Sequence, residues 1–467
     1  MAAEHGLRLT GDVKQFMSRN AIGDIVRLGW PVFIAQIAVM TNSLIDTVMA
    51  GRYSTVDLAA IGVGTSVYVS VFVAMMGVLL ALSPIAAQLY GAKRFGAIGE
   101  EVRQSGWLAL GLAVLCFLAL RFPGPLLAIS ELPPEVEVRT RAYLGAMSWG
   151  VPAMLGFRVF YSFSTAVSKP RSMMLLNLCA LALKVPLNWV FMYGYLGSPE
   201  LGGVGCAWSS TVIAWFLCIA GWLWCRLDPA YRRYGVFGRW TWPRLRSIGN
   251  ILSLGLPIGL TFFVDVTGFT FMALFIARLG PENSAAHQIA ANFAAMLFML
   301  PLALGNASSV LVGQAIGARD FARARATGIA GLGVAVVCAL FVGGALAFGK
   351  QTVAALYSID PAVRALAATL LGFVAVYHLV DSLQAVAVNV LRGYKRALVP
   401  MVIYAVALWG VGLGGGTTLG LHGLDGWIAP LGAKGFWIAA IASLSLAGGL
   451  VAAYFLYVSR HPDSPAV

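Results

Sequence analysis

Five charged residues stand inside stretches that are otherwise apolar. Three are acids, Asp46, Asp265 and Asp381, and two are bases, Arg158 and Lys184. Spacing groups some of them with other polar side chains. Tyr377 and Asp381 are four apart and share one helix face, with His378 close by. A phenol and a carboxylate so placed offer oxygens to Na+ or a site for a proton. His378 is read first as a polar residue bonded to a neighbouring helix and second as a proton relay. Lys184 and Asn188 are also four apart. For any one acid the alternative is a structural ion pair or a helix–helix hydrogen bond.

The elements that carry these residues are membrane helices. The 467 residues are 59% hydrophobic and 11% charged, where a soluble domain carries about 25% charge. Runs of ~20 apolar residues occur twelve times: 28–50, 58–85, 104–122, 142–165, 172–194, 204–225, 248–276, 285–312, 327–348, 362–391, 397–419 and 435–458. The fold class expected is an all-α membrane protein. Of the 32 Lys and Arg, 22 fall in the even-numbered loops and the termini. The positive-inside rule then puts both termini in the cytoplasm. The net charge of +13 is spread over short loops, and no nucleic-acid-binding pattern accompanies it. Residues 1–27 show no cleavable signal, so the first span serves as the insertion signal. The six cysteines, Cys116, Cys179, Cys206, Cys218, Cys225 and Cys338, fall in or at the ends of spans and read as small packing residues.

The chain also repeats itself. A shift of 226 positions lays Pro31 on Pro257, Ala81 and Ser83 on Ala307 and Ser309, and Gln88, Gly91, Ala92 and Phe95 on Gln314, Gly317, Ala318 and Phe321. Six spans per half is an even number, so two six-helix lobes run parallel about a pseudo-twofold axis along the membrane normal. The expected division is a cytoplasmic segment 1–27, lobes 28–225 and 248–458, a cytoplasmic linker 226–247 and a tail 459–467. The acids do not obey the repeat: Asp46 falls on Met272, Asp265 on Val39 and Asp381 on Leu155. They therefore belong to function rather than to the duplicated scaffold. The repeat-related Pro31 and Pro257 suggest a shared bend, and Pro186 a further one.

Several functions are set aside. Gly344-Ala-Leu-Ala-Phe-Gly349-Lys350-Gln351 nearly spells a phosphate-binding loop but lacks the Ser or Thr that holds magnesium. No intramembrane protease pattern occurs, and no enzyme activity or cofactor is expected. Energy must then come from a gradient of ions or of the substrate itself.

Six stretches resemble the multidrug and toxic compound extrusion (MATE) family in its bacterial NorM-like branch. They are Asp46–Gly51, Pro84–Gly91, Val185–Asn188, Gly202–Cys206, His287-Gln288 and Leu391–Lys395. The resemblance covers nearly all of residues 25–458. It implies a monomeric antiporter in the bacterial inner membrane, in contact with membrane lipid, that expels lipophilic cations in exchange for Na+ or H+. By the same resemblance Asp46 is the amino-lobe acid, and Asp265, Asp381 and Tyr377 form a carboxy-lobe site for Na+ or protons. Gln288 lines the cavity on span 8, and Ser210 supplies a hydroxyl to the amino-lobe site. Phe269, Phe293 and Met296 are further cavity liners expected on grounds of chemistry. Two departures stand out. Asp265 replaces the usual Glu, and Lys184 replaces an Asn of the amino-lobe site. The ammonium is expected to pair with Asp46 and take the place of a bound cation. The alternative function is a lipid or oligosaccharide flippase of the same superfamily, for which the interior bases speak.

Overall fold

The computed structural model describes the backbone of residues 2–127, 132–238, 241–423 and 429–461, with side chains from Ala21 onward except Leu126. Arg239 of the expected linker, the side chains of residues 1–20 and the tail beyond residue 461 lie outside the described residues. Among the described residues twelve long helices follow one another: α1 (Ala2–Tyr53), α2 (Thr55–Gly91), α3 (Phe95–Arg121), α4 (Pro134–Ala166), α5 (Arg171–Tyr193), α6 (Val204–Leu227), α7 (Leu245–Ala277), α8 (Pro281–Gly317), α9 (Phe321–Tyr357), α10 (Pro361–Gly393), α11 (Leu398–His422) and α12 (Ala433–Arg460). No strand occurs among the described residues. Eleven of the helices are long and apolar enough to cross a membrane. The exception is α4, whose apolar run holds Arg158 and opens with Glu135, Glu137, Arg139 and Arg141. Most helices overrun the expected spans by a turn or more. Their outer faces stay apolar, as with Phe341 at 79% and Phe348 at 95% exposure on α9, so hydrocarbon rather than water suits them.

Local breaks have local causes. α2 tightens at Leu80–Ala81, where the amides bond three residues back to Gly77 and Val78. Pro84 has no N–H to give the Leu80 carbonyl. Its repeat partner is Val310, and α8 runs on unbroken there. α11 widens into π-helical turns at Ala407–Gly414 and Thr418–His422. Such turns gather where function strains a helix. Gly416 and Gly420 lie directly on the Phe436 ring, which a Cβ at either would strike.

The chain forms two compact units. One holds residues up to Phe33 together with Phe263–Val467, and the other holds Ile34–Phe262. The division falls inside α1 and α7, within a turn after Pro31 and one to two turns after Pro257. Ile25 belongs to the core of the first unit with Leu304, Ala307 and Val390. Gly255 and Gly259 belong to the second, close enough to the α2 carbonyls of Val78 and Ala74 that a Cβ would lie 2.5 Å away from each.

In the Ile34–Phe262 unit, Asp57 is 1% exposed, pairs with Arg139, and accepts the Gly203 N–H at 2.8 Å. The linker is fastened to the same unit. Arg103 donates to the Gly235 carbonyl at 2.7 Å and Trp107 to the Thr241 carbonyl at 2.9 Å. Arg233 lies over the rings of Tyr90, Phe95 and Tyr234. Burial pushes the Tyr234 hydroxyl up to about 12, so it stays neutral at physiological pH.

Gly205 brings α6 against the end of α5. A Cβ there would lie 2.5 Å from the Phe191 carbonyl carbon and 2.6 Å from the Met192 nitrogen. Gly435 makes the same approach to Leu419 and Gly420 in the other unit. Both obstacles are backbone and cannot swing aside. Gly205→Val is therefore expected to destabilise the protein by about 1–3 kcal/mol or more, read as a lowered midpoint of thermal unfolding in detergent. An unchanged midpoint would show that α5 and α6 can separate freely.

Candidate functional site

The Gly205 approach sets α5 and α6 close enough for their polar residues to meet those of α1. Lys184 is 1% exposed and its Nζ lies 2.9 Å from Asp46 Oδ2. The ammonium also donates to Ser210 Oγ at 2.6 Å, Ser209 Oγ at 3.0 Å and the Cys206 carbonyl at 3.5 Å. Asn188 Nδ2 donates to Asp46 Oδ1 at 2.8 Å, and Ser209 donates to the Asn188 amide oxygen. Each oxygen of the carboxylate thus has its own partner. Four oxygens thus converge on the one side-chain nitrogen. This cluster stands on the wall of a cavity of about 450 Å³, lined also by Asn42, Thr65, Tyr68, Phe72, Tyr143, Met147, Met154 and Asn177.

The other unit is built differently. Asp265 on α7 accepts a hydrogen bond from Tyr404 of α11. Asp381 and Tyr377 on α10 are 7% and 5% exposed. No Lys, Arg or His among the described residues lies within ion-pair distance of Asp265 or Asp381. Asp265, Asp381 and Tyr377 are near enough to one another for their charges to interact. No hydrogen bond joins Asp265, Asp381 and Tyr377 to one another. Phe269 packs edge-on to Tyr377, with ring centres 6.3 Å apart, and both line a small cavity of about 20 Å³ with Met272.

The sequence-expected residues divide accordingly. Asp46, Lys184, Asn188 and Ser210 come together in one unit, and Asp265, Asp381, Tyr377 and Phe269 gather in the other. Gln288 is exposed, Met296 is 39% exposed and Phe293 partly buried. None of these three lines either cavity described above. His378 is 2% exposed but finds no hydrogen bond on a neighbouring helix, and its Nε2 is buried without a partner. Of the six cysteines, Cys179 is exposed and Cys218 and Cys338 are partly so, leaving Cys116, Cys206 and Cys225 as buried packing residues. Sequence reasoning missed Ser209 and Tyr404. Ser209 could have been found as a neighbour of Ser210 one turn beyond Cys206. Tyr404 is a lone phenol in an apolar span and gives no such signal.

A bundle of apolar helices with buried carboxylates beside internal cavities defines a polytopic membrane transporter. The MatE family model matches twice, at residues 31–190 and 257–416, the offset of the internal repeat. The chain belongs to the MATE family, in its bacterial NorM-like branch. It is 43% identical over 444 residues to a probable multidrug resistance protein NorM of Aromatoleum aromaticum, covering 95% of each chain. It is 36% identical over 445 residues to the multidrug resistance protein PmpM of Pseudomonas aeruginosa, covering 94% of this chain and 90% of that one. Among solved structures, the MATE transporter NorM-NG in complex with R6G and a monobody superposes with a TM-score of 0.79 at 32% identity, covering 94% and 96%. The eukaryotic MATE transporter AtDTX14 shares the fold, with a TM-score of 0.85 at 16% identity and coverage of 96% and 99%. A multi-pass protein of the bacterial inner membrane follows from the family and the helices.

Breaking a buried ion pair by removing one partner costs about 3–5 kcal/mol, because the other charge is left uncompensated. Lys184→Met and Asp46→Leu are each expected to lower stability by about that much. The double variant should lose clearly less than the sum. Thermal unfolding across this double-mutant cycle measures the coupling, and simple additivity would mean the pair is not formed in the membrane protein.

Proposed function

We propose that this protein is a secondary antiporter that exports lipophilic, mainly cationic small molecules in exchange for Na+ or H+. Lobes 28–225 and 248–458 alternate in exposing the cargo, and both termini face the cytoplasm. The observation that carries this reading is the contrast between the two sets of acids. Asp46 is already paired with Lys184 at 2.9 Å, whereas Asp265 and Asp381 have no cation of their own among the described residues.

Coupling is therefore assigned to Asp265 and Asp381, with Tyr377 and Tyr404 as oxygen neighbours. A Na+ or a proton arriving there removes the mutual repulsion of two partly desolvated carboxylates. That binding must favour one arrangement of the lobes over the other, or it drives nothing. A lipophilic cation arriving from the cytoplasm competes for the same charge, which gives exchange rather than co-transport. Lys184 takes the place a free cation would have beside Asp46. Gln288, Phe293, Met296 and Phe269 are assigned to the cargo path, and His378 to proton relay if protons drive transport. Multidrug resistance names among the relatives and the R6G complex of one of them support a drug cargo. They do not favour a lipid flippase.

The test is uptake of a fluorescent lipophilic cation into inside-out proteoliposomes under a Na+ gradient or a pH gradient alone. One gradient should suffice, and Asp265→Asn and Asp381→Asn should each cut the driven uptake about tenfold or more. Lys184→Asn should leave the identity of the driving ion unchanged. Driven uptake that survives both acid substitutions would sink the assignment of coupling, and uptake under neither gradient would sink antiport.

A further inference from the structure

Arg158 is an interior charge that the antiport reading leaves unused. It lies on α4, four residues beyond Met154 and eleven beyond Met147, so the three share one face of the helix. Met147 and Met154 line the 450 Å³ cavity, and Tyr68 donates to the Met154 sulfur at 2.8 Å. Arg158 stands one turn further along that face and is half-buried as a residue. It forms no hydrogen bond or ion pair with any described residue. Its Nε is buried without a partner, and so is the hydroxyl of Tyr161, which is 5% exposed. The guanidinium carbon lies 4.6 Å from the centre of the Tyr161 ring. A ring face offsets only a small part of the cost of an unpaired guanidinium inside a membrane. Buried donors in this number call for an acceptor.

We propose that Arg158 and Tyr161 form an oxyanion subsite adjoining the amino-lobe cavity, which receives the carboxylate or phosphate of an amphipathic molecule. The guanidinium fork suits a planar oxyanion through two parallel N–H bonds, and the Tyr161 hydroxyl can add a third. Among the described residues Asp46 and Lys184 are the only charged liners of the cavity, and they pair with each other. Nothing in that lining repels an anionic group, and nothing there favours a simple cation. Cargo that carries an oxyanion as well as an apolar body, zwitterions included, fits this end of the protein. The identity of the ligand as cargo rests on the antiport reading; the binding site itself does not.

The matched probes are rhodamine 6G, a cationic ester, and its free acid, which carries a carboxylate on the same rings. Binding to the full-length protein is followed by fluorescence anisotropy in nanodiscs, with no ion gradient. In phosphatidylcholine discs, Arg158→Gln is expected to weaken the free acid about tenfold or more and to leave the ester within about twofold. Tyr161→Phe should shift the free acid in the same direction by less. Equal weakening of both dyes, or of neither, overturns the proposal. A second arm distinguishes a lipid source, using discs containing phosphatidylglycerol and native mass spectrometry. If Arg158→Gln loses a retained phosphatidylglycerol while dye binding is unchanged, the oxyanion belongs to lipid and the cargo assignment falls. If Arg158→Gln does not fold, Arg158→Lys replaces it. That variant keeps the charge without the fork and should still lower the preference for the acid over the ester. Loss of gradient-driven uptake with this selectivity intact would strike the antiport reading alone.

Discussion

Asp46 and Lys184 face each other among apolar helices, the ammonium 1% exposed and the carboxylate 14%. An unpaired carboxylate or ammonium there would cost several kcal/mol, so the surrounding helices must hold both partners in register. That requirement explains much of the Ile34–Phe262 unit. α5 and α6 must approach closely enough for Ser209, Ser210 and the Cys206 carbonyl to reach the ammonium, and Gly205 permits the approach. Asn188 holds the second carboxylate oxygen, so the acid cannot rotate away without breaking two contacts.

Duplication supplied the helices twice, but the ion pair only once. Under the repeat, Lys184 falls on Gly410, Asn188 on Gly414 and Asp46 on Met272. The second copy therefore has no counterpart of the Lys184 ammonium, and the cavity beside Tyr377 is about 20 Å³ against about 450 Å³ beside Asp46. Its acids sit elsewhere on the scaffold, and the glycines of α11 accompany π-helical turns next to Tyr404. One lobe is electrically closed and the other open. A symmetric fold thus presents two unlike chemical environments, as a machine that exchanges two unlike solutes requires.

The helices were legible because hydrocarbon imposes a simple rule on composition, and a run of ~20 apolar residues has few other uses. The weakest span was α4, where Arg158 and the polar start dilute the signal. The repeat made the two-lobe layout readable, but it did not reveal that α1 and α7 change units part-way along. That depends on packing between distant segments, such as Ile25 with Leu304 or Gly259 with Ala74. The Asp46–Lys184 pair was readable because interior charges are few and must find each other. Ser209 was not singled out because serine is common in membrane helices. Tyr404 was hidden because a phenol's partner is a matter of geometry rather than spacing.

The exchange of helix ends also bears on how the chain is made. The Ile34–Phe262 unit is not complete until the first half of α7 has left the ribosome, well after the linker has emerged. Residues before Phe33 must wait longer still, since their packing partners on α8 are made near residue 304. The first part of α1, around Ile25, therefore lacks its partners on α8 and α10 until those helices are made. A chain stopped after its first six helices would hold an unfinished unit with the flank of α2 around Ala74 and Val78 uncovered. The packing of both helix ends therefore needs helices that are made later in the chain.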